Sequence, residues 1–384
     1  MSYQPSLADT GFLLFDVLQA PVQLQALQGL TEADQPLMAQ VLDEAGKFVA
    51  EVVAPLSREG DEVGCRWQAG AVTTPPGFRD AYQAFVAAGW PALACAEEDG
   101  GQGLPWVLEG VLYEWLAAAN HGWTMAPGLL HGAYECIRHH ASDELKAQYL
   151  EKVATGEWLA TMCLTEPQAG SDLAQVRTRA QPQPDGTYKV FGTKIFITYG
   201  EHDMADNIVH LVLARVAGAP EGVKGISLFV VPKFLLNADG SLGERNDVYC
   251  VSIEHKMGIK ASPTAVLQFG DHGGAIGYLV GEENRGLEYM FIMMNAARYG
   301  VGVQGVAVAE RAYQRAVQYA RDRVQSRPVD GSVPGAASII HHPDVRRMLM
   351  TMRAFTEGCR AMATTAAAAY DAAHHHPDAA VRQA

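Results

Sequence analysis

The chain has 384 residues, of which 48% are apolar, and a formal net charge of −14. This length exceeds one ordinary domain, so two or three domains with a large core are expected. The negative charge argues against a nucleic-acid surface or an anionic-membrane surface, and any anionic ligand must be held by local donors.

The cysteines and the N-terminus indicate the compartment. None of the six cysteines has a partner at CxxC spacing, which predicts a reduced, cytoplasmic protein. Residues 1–5 lack a basic region followed by an apolar core, so no signal peptide is predicted. No apolar run reaches the roughly 18–20 residues of a membrane span.

Helical patterning dominates residues 1–158. A short amphipathic pattern covers 7–20, and Thr31–Asp34 can cap a helix that runs to about Ser57. After a loop at 59–70, further helices are predicted over 77–89, 105–120, 128–139 and 143–154. Glu97–Gly103 reads as an acidic glycine turn and not as a phosphate loop, because no Lys-Ser/Thr follows it. The whole segment is therefore expected to be helical.

From Leu159 the apolar period changes to two, which is typical of strands separated by turns. Because no helical pattern intervenes, a small antiparallel barrel or sandwich is predicted. The predicted strands are Trp158–Leu164, Val176–Ala180, Tyr188–Gly192, Lys194–Tyr199, Ile208–Val216, Ile226–Pro232, Val248–Glu254 and Ala265–Phe269.

Helical patterning returns at about Asn284 and runs to about Val324, roughly 60 Å of helix at 1.5 Å per residue. Gly300, Gly302 and Gly305 lower its helix propensity, and we explain them by close helix packing. A loop at 327–341 and a final helix over about 343–373 follow.

Two short motifs carry the chemistry. At Thr165-Glu166-Pro167 a strand stops, and Gln168–Asp172 predicts a tight loop with free N–H groups and hydroxyls, which can cradle a polar ring edge and a phosphate. An ordinary strand-to-loop turn is the alternative. In Lys194–Thr198, alternation is expected to place Phe196 and Thr198 on one face with Lys194. An aromatic plane and a hydroxyl two residues apart suit a flat heterocycle.

Together these stretches resemble the flavin site of the acyl-CoA dehydrogenase family, with its Thr-Glu-Pro-x-x-Gly-Ser-Asp loop and Lys-x-Trp/Phe-Ile-Thr strand. The resemblance covers nearly the whole chain and is strongest to the long branch that includes the 3-methylmercaptopropionyl-CoA dehydrogenases. It implies an α+β multidomain fold. Its domains would be an N-terminal helical domain (1–158), a middle antiparallel β domain (159–276) and an incomplete C-terminal helical bundle (277–384).

The resemblance also implies the ligands of the site. FAD is the expected cofactor. NAD is not, because no strand–Gly-x-Gly-x-x-Gly–helix unit is present. Ser171 and Arg298 are expected to contact the substrate, and no metal is expected, even at His374–His376. The residues expected to bind FAD are Met162, Cys163, Leu164, Thr165, Gly170, Ser171, Phe196, Ile197, Thr198, Arg323, Gln325 and His342.

Individual roles follow from the same resemblance. Thr165 would bond the polar edge of the flavin ring, and the Gly170 amide and Ser171 would serve the pyrophosphate. Phe196 would lie beside the ring, and Thr198 would bond N5 or O4. Arg323 would reach the flavin of a neighbouring subunit, with a solvated helix-end arginine as the alternative.

The implied function is α,β-dehydrogenation of an acyl-CoA thioester in fatty-acid metabolism, by an oxidoreductase that passes electrons to an electron-transferring flavoprotein. A homodimer or tetramer is expected. Two alternatives stay open: an acyl-CoA oxidase of the same fold, and a non-catalytic fragment that binds flavin or CoA.

The reaction needs a carboxylate to remove the α proton. The family places it at one of two positions. One of them is Ala297 here, and the Tyr-Glu-Gly-Thr motif that marks the other is absent. Glu166 and Asp172 are interpreted as loop-bonding residues and not as the base. We therefore expect the base beyond Ala384, a truncated bundle, and little activity from residues 1–384 alone.

Overall fold

A computed structural model describes residues 3–383 of the chain. The helices are Leu7–Gly11 (α1), Ala20–Gln25 (α2), Gln35–Phe48 (α3), Ser57–Val63 (α4), Phe78–Ala87 (α5), Trp106–Thr124 (α6), Leu130–His140 (α7), Asp143–Ala154 (α8), Gly286–Asp322 (α9), Pro343–His375 (α10) and Ala379–Gln383 (α11). The strands are Arg66–Gln68 (β1), Ala71–Thr73 (β2), Leu159–Cys163 (β3), Arg179–Pro182 (β4), Tyr188–Thr198 (β5), Ile208–Val216 (β6), Ser227–Pro232 (β7), Phe234–Leu236 (β8), Leu242–Arg245 (β9), Val248–Ile253 (β10), Thr264–Phe269 (β11) and Ala275–Val280 (β12). The α+β fold class is confirmed.

The chain forms two compact units, and both are discontinuous in sequence. Unit 1 comprises Met1–Pro55, Leu104–His121 and Tyr299–Ala384. Unit 2 comprises Leu56–Gly103 and Gly122–Arg298. Unit 1 is helical, whereas unit 2 contains every described strand together with α4, α5, α7 and α8.

The N-terminal segment departs from its all-helical prediction in one place. Strands β1 and β2 form a two-stranded antiparallel hairpin, where a loop was expected. The predicted cap at Thr31–Asp34 is confirmed at its last residue, since Asp34 Oδ1 accepts a hydrogen bond of 2.9 Å from the Leu37 N–H. The helix that begins there continues through a π-helical turn, Val49–Val53.

Unit 2 is built on an eight-stranded sheet. Seven strands follow the order β10-β11-β5-β12-β7-β6-β3, and β4 pairs with both β5 and β6. Strands β4, β5, β12, β7 and β6 therefore close a ring, which confirms the predicted barrel. Two pairings, β3 with β6 and β4 with β6, are parallel, so the prediction of a purely antiparallel domain is wrong at these two contacts.

The interior of this sheet is apolar and almost fully closed to solvent. Burying such side chains contributes about 25 cal/mol per Å² of apolar surface. Strand β12 was not predicted, because the glycines around it hide its alternating pattern. The core includes Cys163, Ala180, Val190, Ile197, Val212, Phe229, Val231, Leu267 and Phe269.

The long helix α9 confirms the prediction of an unbroken helix but not the explanation of its glycines. A Cβ on Gly300 would lie 3.3 Å from the ring of Tyr113, so close packing explains this residue. Gly302 and Gly305 are exposed, and a Cβ on either would meet no atom of residues 3–383 within 4 Å. Packing among residues 3–383 therefore does not explain these two glycines, and that part of the prediction is wrong for them.

A buried arginine links three helices of unit 1. Arg360 on α10 is 1% exposed. Its guanidinium donates to Glu114 on α6 at 2.8 Å, to Glu310 on α9 at 3.0 Å and to Glu357 on α10 at 2.6 Å. The planar fork of five donors suits several carboxylates at once.

Within residues 3–383, no helix combines the length and the apolar character that are needed to cross a membrane.

Candidate functional site in unit 2

The Glu166 carboxylate organises the loop between β3 and β4. It is 4% exposed and accepts five hydrogen bonds. Burial alone would raise its pKa, but the Lys194 ammonium and the other donors outweigh burial and hold the pKa at about 2. The donors are the Thr178 hydroxyl (2.6 Å), Gln168 Nε2 (2.6 Å), the Arg177 N–H (2.8 Å), Lys194 Nζ (2.8 Å) and the Thr178 N–H (3.0 Å).

The backbone of the loop forms a tight turn at the same residue. The Glu166 N–H donates to the Ala169 carbonyl at 2.9 Å, and the Ala169 N–H donates to the Glu166 carbonyl at 3.0 Å. Ala169 is fully buried, whereas Gly170 and Ser171 are exposed. The tight loop predicted from the sequence is therefore present, and its end is exposed to solvent.

Lys194 ties strand β5 to this loop. Its side chain is 0% exposed, and Nζ donates to the Leu164 carbonyl at 3.0 Å as well as to Glu166. The next residue continues the link, because the Ile195 N–H donates to the Thr165 carbonyl at 2.9 Å. The two motifs found in the sequence are thus joined directly in space.

A β-bulge decides where the aromatic ring of the second motif points. Two residues, Ile195 and Phe196, separate Lys194 from Ile197 on β5, whereas only one residue separates their partners on β11. Phe196 takes a φ of +59° and is 56% exposed, while Lys194 points inward. The prediction that Lys194 shares a face with Phe196 and Thr198 is wrong, because the extra residue reverses the alternation.

The loop at 164–172 and strand β5, which Lys194 joins, carry polar groups that have no hydrogen-bond partner among residues 3–383. Within residues 3–383, nothing accepts a hydrogen bond from the amides of Gly170 and Ser171, and the hydroxyls of Thr165, Ser171 and Thr198 have no partner. A flat ring with polar edge atoms can pack against Phe196 and bond these groups. The chemistry of the donor set fits FAD.

Two of the residues predicted to bind FAD are almost fully closed to solvent. Cys163 is 0% exposed and Ile197 is 2% exposed, and both belong to the core of the sheet. Burial raises the pKa of the Cys163 thiol to about 12, so this cysteine is not a nucleophile. Met162 and Leu164 are half-buried.

Three further predicted residues come together in unit 1, just after α9. The Gln325 N–H donates to the Ala337 carbonyl at 3.0 Å, and the Arg323 carbonyl accepts from the Ile339 N–H at 2.8 Å. His342 Nε2 lies 2.7 Å from the Gln325 carbonyl oxygen, which requires a proton on that nitrogen. The Arg323 side chain is exposed.

Arg298, at the end of unit 2, is exposed on helix α9. It donates to Asn295 Oδ1 at 2.8 Å, and its guanidinium carbon lies 5.3 Å from the centroid of the Phe291 ring. The preceding residue, Ala297, offers no carboxylate. Asp172 is exposed, and its Oδ1 accepts from the Ala174 N–H at 3.0 Å, so it caps the short helical turn Leu173–Gln175. Among residues 3–383, no group of histidines, cysteines and acids could hold a metal ion.

Comparison with protein families gives three consecutive matches along the chain. Residues 37–157 match the N-terminal domain of acyl-CoA dehydrogenase, residues 161–272 its middle domain and residues 284–383 its C-terminal domain. The chain belongs to the acyl-CoA dehydrogenase family. The family resemblance predicted from the two motifs is therefore confirmed.

Individual relatives agree with this assignment. The chain is 53% identical over 384 residues to 3-methylmercaptopropionyl-CoA dehydrogenase of Ruegeria pomeroyi, covering 100% of this chain and 65% of that protein. It is 39% identical over 352 residues to a butyryl-CoA dehydrogenase of Syntrophomonas wolfei, covering 89% of this chain and 57% of that protein. The chain thus spans less than two thirds of the length of both relatives.

A solved structure shares the fold. Butyryl-CoA dehydrogenase from Megasphaera elsdenii superposes with a TM-score of 0.70 at 24% identity, covering 88% of this chain and 82% of that one.

The two motifs of this family site are linked by a contact that was not predicted from the sequence. The role of Lys194 was not predicted, although one signal was present: a lysine stands among apolar residues in a strand, about 30 residues after a glutamate in a loop. Buried lysines are almost always paired, and Glu166 is the partner.

Proposed function

We propose that this chain binds FAD and, as an acyl-CoA dehydrogenase, takes part in oxidising the Cα–Cβ bond of an acyl-CoA thioester. One observation carries the proposal: the exposed Phe196 ring is grouped with the unpartnered Thr165, Ser171 and Thr198 hydroxyls on two segments that Lys194 joins. When bound, FAD would supply the acceptor for the hydride from Cβ.

The residues of this chain would bind and orient FAD and the acyl-CoA. Phe196 would pack against the ring, Thr165 and Thr198 would bond its polar edge, and the Gly170 amide with the Ser171 hydroxyl would bond the pyrophosphate. The formal net charge of −14 gives no general attraction for a diphosphate, so local donors must supply the affinity. Ser171 and Arg298 would contact the acyl-CoA.

Proton abstraction at the α carbon needs a carboxylate that reaches the substrate. Glu166 does not suit this role, since its two oxygens accept five hydrogen bonds from protein donors and its pKa of about 2 makes it a weak base. Asp172 is occupied as a cap. We therefore assign the role of catalytic base to neither Glu166 nor Asp172, nor to Ala297.

The proposal also covers the acyl-CoA substrate, the electron acceptor, the oligomeric state and the cellular compartment. The names of the two relatives favour a short or medium acyl-CoA, and the family resemblance favours an electron-transferring flavoprotein as acceptor. A homo-oligomer would let Arg323 of one copy reach the FAD of another. Six cysteines without a disulfide support the reducing cytoplasm.

Purification and anaerobic titration test the proposal. The purified protein is expected to show flavin absorbance, and the released cofactor is expected to be FAD. Butyryl-CoA is expected to bleach the flavin band of the full-length protein without oxygen. Bound nicotinamide without flavin would refute the cofactor, whereas bound FAD that no acyl-CoA bleaches would leave a binding protein and refute the dehydrogenation.

A further inference from the structure

We propose that the buried Lys194–Glu166 pair is a positioning device, which fixes the flavin loop and the Phe196 bulge relative to each other without touching the ligand. The inference deepens the proposed function and rests on it. It assigns to Lys194 a role that differs from ordinary structural support, because the segments that it joins are the two that present the FAD-binding groups.

The contacts of the ammonium give the first reason. Lys194 Nζ donates to the Leu164 carbonyl at 3.0 Å and to Glu166 Oε1 at 2.8 Å, and both acceptors lie on the loop. The side chain is 0% exposed, so water cannot replace either bond. Loss of the ammonium would leave a buried carboxylate without its counter-charge and a carbonyl without its donor.

Glu166 links Lys194 to two further points of the loop, Gln168 and Thr178. The same carboxylate accepts from Gln168 in the loop and from the hydroxyl and amide of Thr178 ahead of β4. One ammonium therefore holds the beginning of the loop at Leu164, and through Glu166 it also holds the tip and the exit. Gly170 and Ser171 lie between these fixed points.

The bulge supplies the second reason. In a regular strand, residues 194 and 196 point to the same face, so an inward lysine would carry Phe196 inward with it. The extra residue reverses this relation, and Phe196 is exposed at a φ of +59°, which is uncommon for a residue with a side chain. The bulge thus allows Lys194 to point inward while Phe196, two residues later, points outward.

A matched pair in the same unit serves as the control. Lys233 donates to Glu201, and their side chains are 12% and 5% exposed. Glu201 also pairs with Arg245 at 3.2 Å. This second lysine–glutamate pair is buried to a similar extent, but among residues 3–383 neither of its side chains forms a hydrogen bond or ion pair with the loop at 164–172.

The experiment compares Lys194→Met with Lys233→Met in the complete protein. FAD affinity of the apoprotein is measured by quenching of flavin fluorescence, and stability is measured by urea unfolding. Amide hydrogen exchange of the apoprotein reports on peptides that cover 164–172 and 194–199. We expect Lys194→Met to weaken FAD binding at least about 10-fold and to speed exchange in both peptides, whereas Lys233→Met changes FAD affinity less than about 3-fold.

Each outcome decides a separate point. Equal losses of FAD affinity in the two variants, or unchanged exchange in the loop of Lys194→Met, would overturn the positioning role. If the wild-type protein binds no FAD, the proposed function fails, while the exchange measurement still tests the link. If Lys194→Met does not fold, Glu166→Gln removes the same ion pair from the other end and is held to the same expectations.

Discussion

Each of the two units contains a buried cation that bonds carboxylates of the same unit, and the two cations differ in the partners that they bond. Arg360 in unit 1 is 1% exposed and bonds glutamates on α6, α9 and α10. Lys194 in unit 2 is 0% exposed and bonds one glutamate and one carbonyl, both in a loop. Every partner of Arg360 is a helical residue, whereas the loop held by Lys194 ends in exposed, unpartnered donors. A buried charge therefore indicates function only through what its partners present to solvent.

The nature of each cation suits its surroundings. The guanidinium spreads its charge over five N–H donors and can satisfy three carboxylates on three helices. The ammonium is a point donor, which suits a single carboxylate beside a carbonyl. The first arrangement joins three helices, and the second joins strand β5 to the loop that follows β3.

The largest effect is expected when Arg360 is replaced by methionine. The change leaves Glu114 and Glu310 buried without their cation, which typically costs about 3–5 kcal/mol of unfolding free energy. Burial already raises the pKa of Glu114, and without Arg360 it should bind a proton more readily. Urea unfolding at pH 7 measures the loss.

Arg353→Met is the control for this prediction. Arg353 lies on the same helix and pairs with Asp9 at 3.0 Å, but the two side chains are 52% and 43% exposed. Exposed pairs contribute about 0–1 kcal/mol. Similar losses in the two variants would contradict the claim that burial makes the Arg360 cluster important.

Between about pH 6.5 and 4.5, acid should weaken unit 2 through its histidines and not through the Lys194 pair. Burial, together with the nearby Lys233, lowers the pKa of both His202 and His210 to about 3. The unfolded chain binds these protons from about pH 6.5 downward, whereas the folded chain does not, so stability falls with pH between about 6.5 and 3. The limiting slope is about 1.4 kcal/mol per pH unit for each histidine. The pKa of Glu166 is about 2 in the folded chain against an ordinary value of 4.5, so its ion pair adds to the loss of stability only below about pH 4.5.

Urea midpoints at pH 7, 6 and 5 check this slope. Replacing His210 with Gln should reduce it, since this ring is buried and bonds the Thr161 hydroxyl at 2.7 Å. His272→Gln is the matched control, because His272 is 72% exposed. A slope that His210→Gln leaves unchanged would show that other groups bind the acid protons.

These two regions also show which features could be predicted from the sequence and which could not. The helices, most strands and the two motifs follow from period and turn residues, and the family follows from the motifs. The bulge at Ile195–Phe196 could not be predicted, because it depends on the register against β11, a strand about 70 residues away. The Arg360 cluster likewise joins residues up to 246 positions apart, which no local pattern reveals. Long-range pairing explains both gaps.

The smallest effect is expected at Thr198, and it sharpens the contrast between a fold contact and a ligand contact on one strand. Thr193 and Thr198 both lie on β5. The Thr193 hydroxyl donates to Gln268 Oε1 at 2.5 Å, whereas the Thr198 hydroxyl has no partner within residues 3–383. Thr193→Val should therefore lower stability and leave FAD affinity unchanged.

Thr198→Val should do the opposite. It removes no hydrogen bond from the apoprotein, and valine is a good strand residue, so urea stability should not fall. It does remove the proposed bond to the flavin ring, which contributes about 0.5–1.5 kcal/mol net and corresponds to roughly 2- to 10-fold in FAD affinity. Fluorescence titration and urea unfolding of both variants measure the two quantities side by side. If Thr198→Val lowers stability and spares FAD affinity, Thr198 is a fold residue like Thr193, and the flavin edge must be bonded by Thr165 or by the main chain instead.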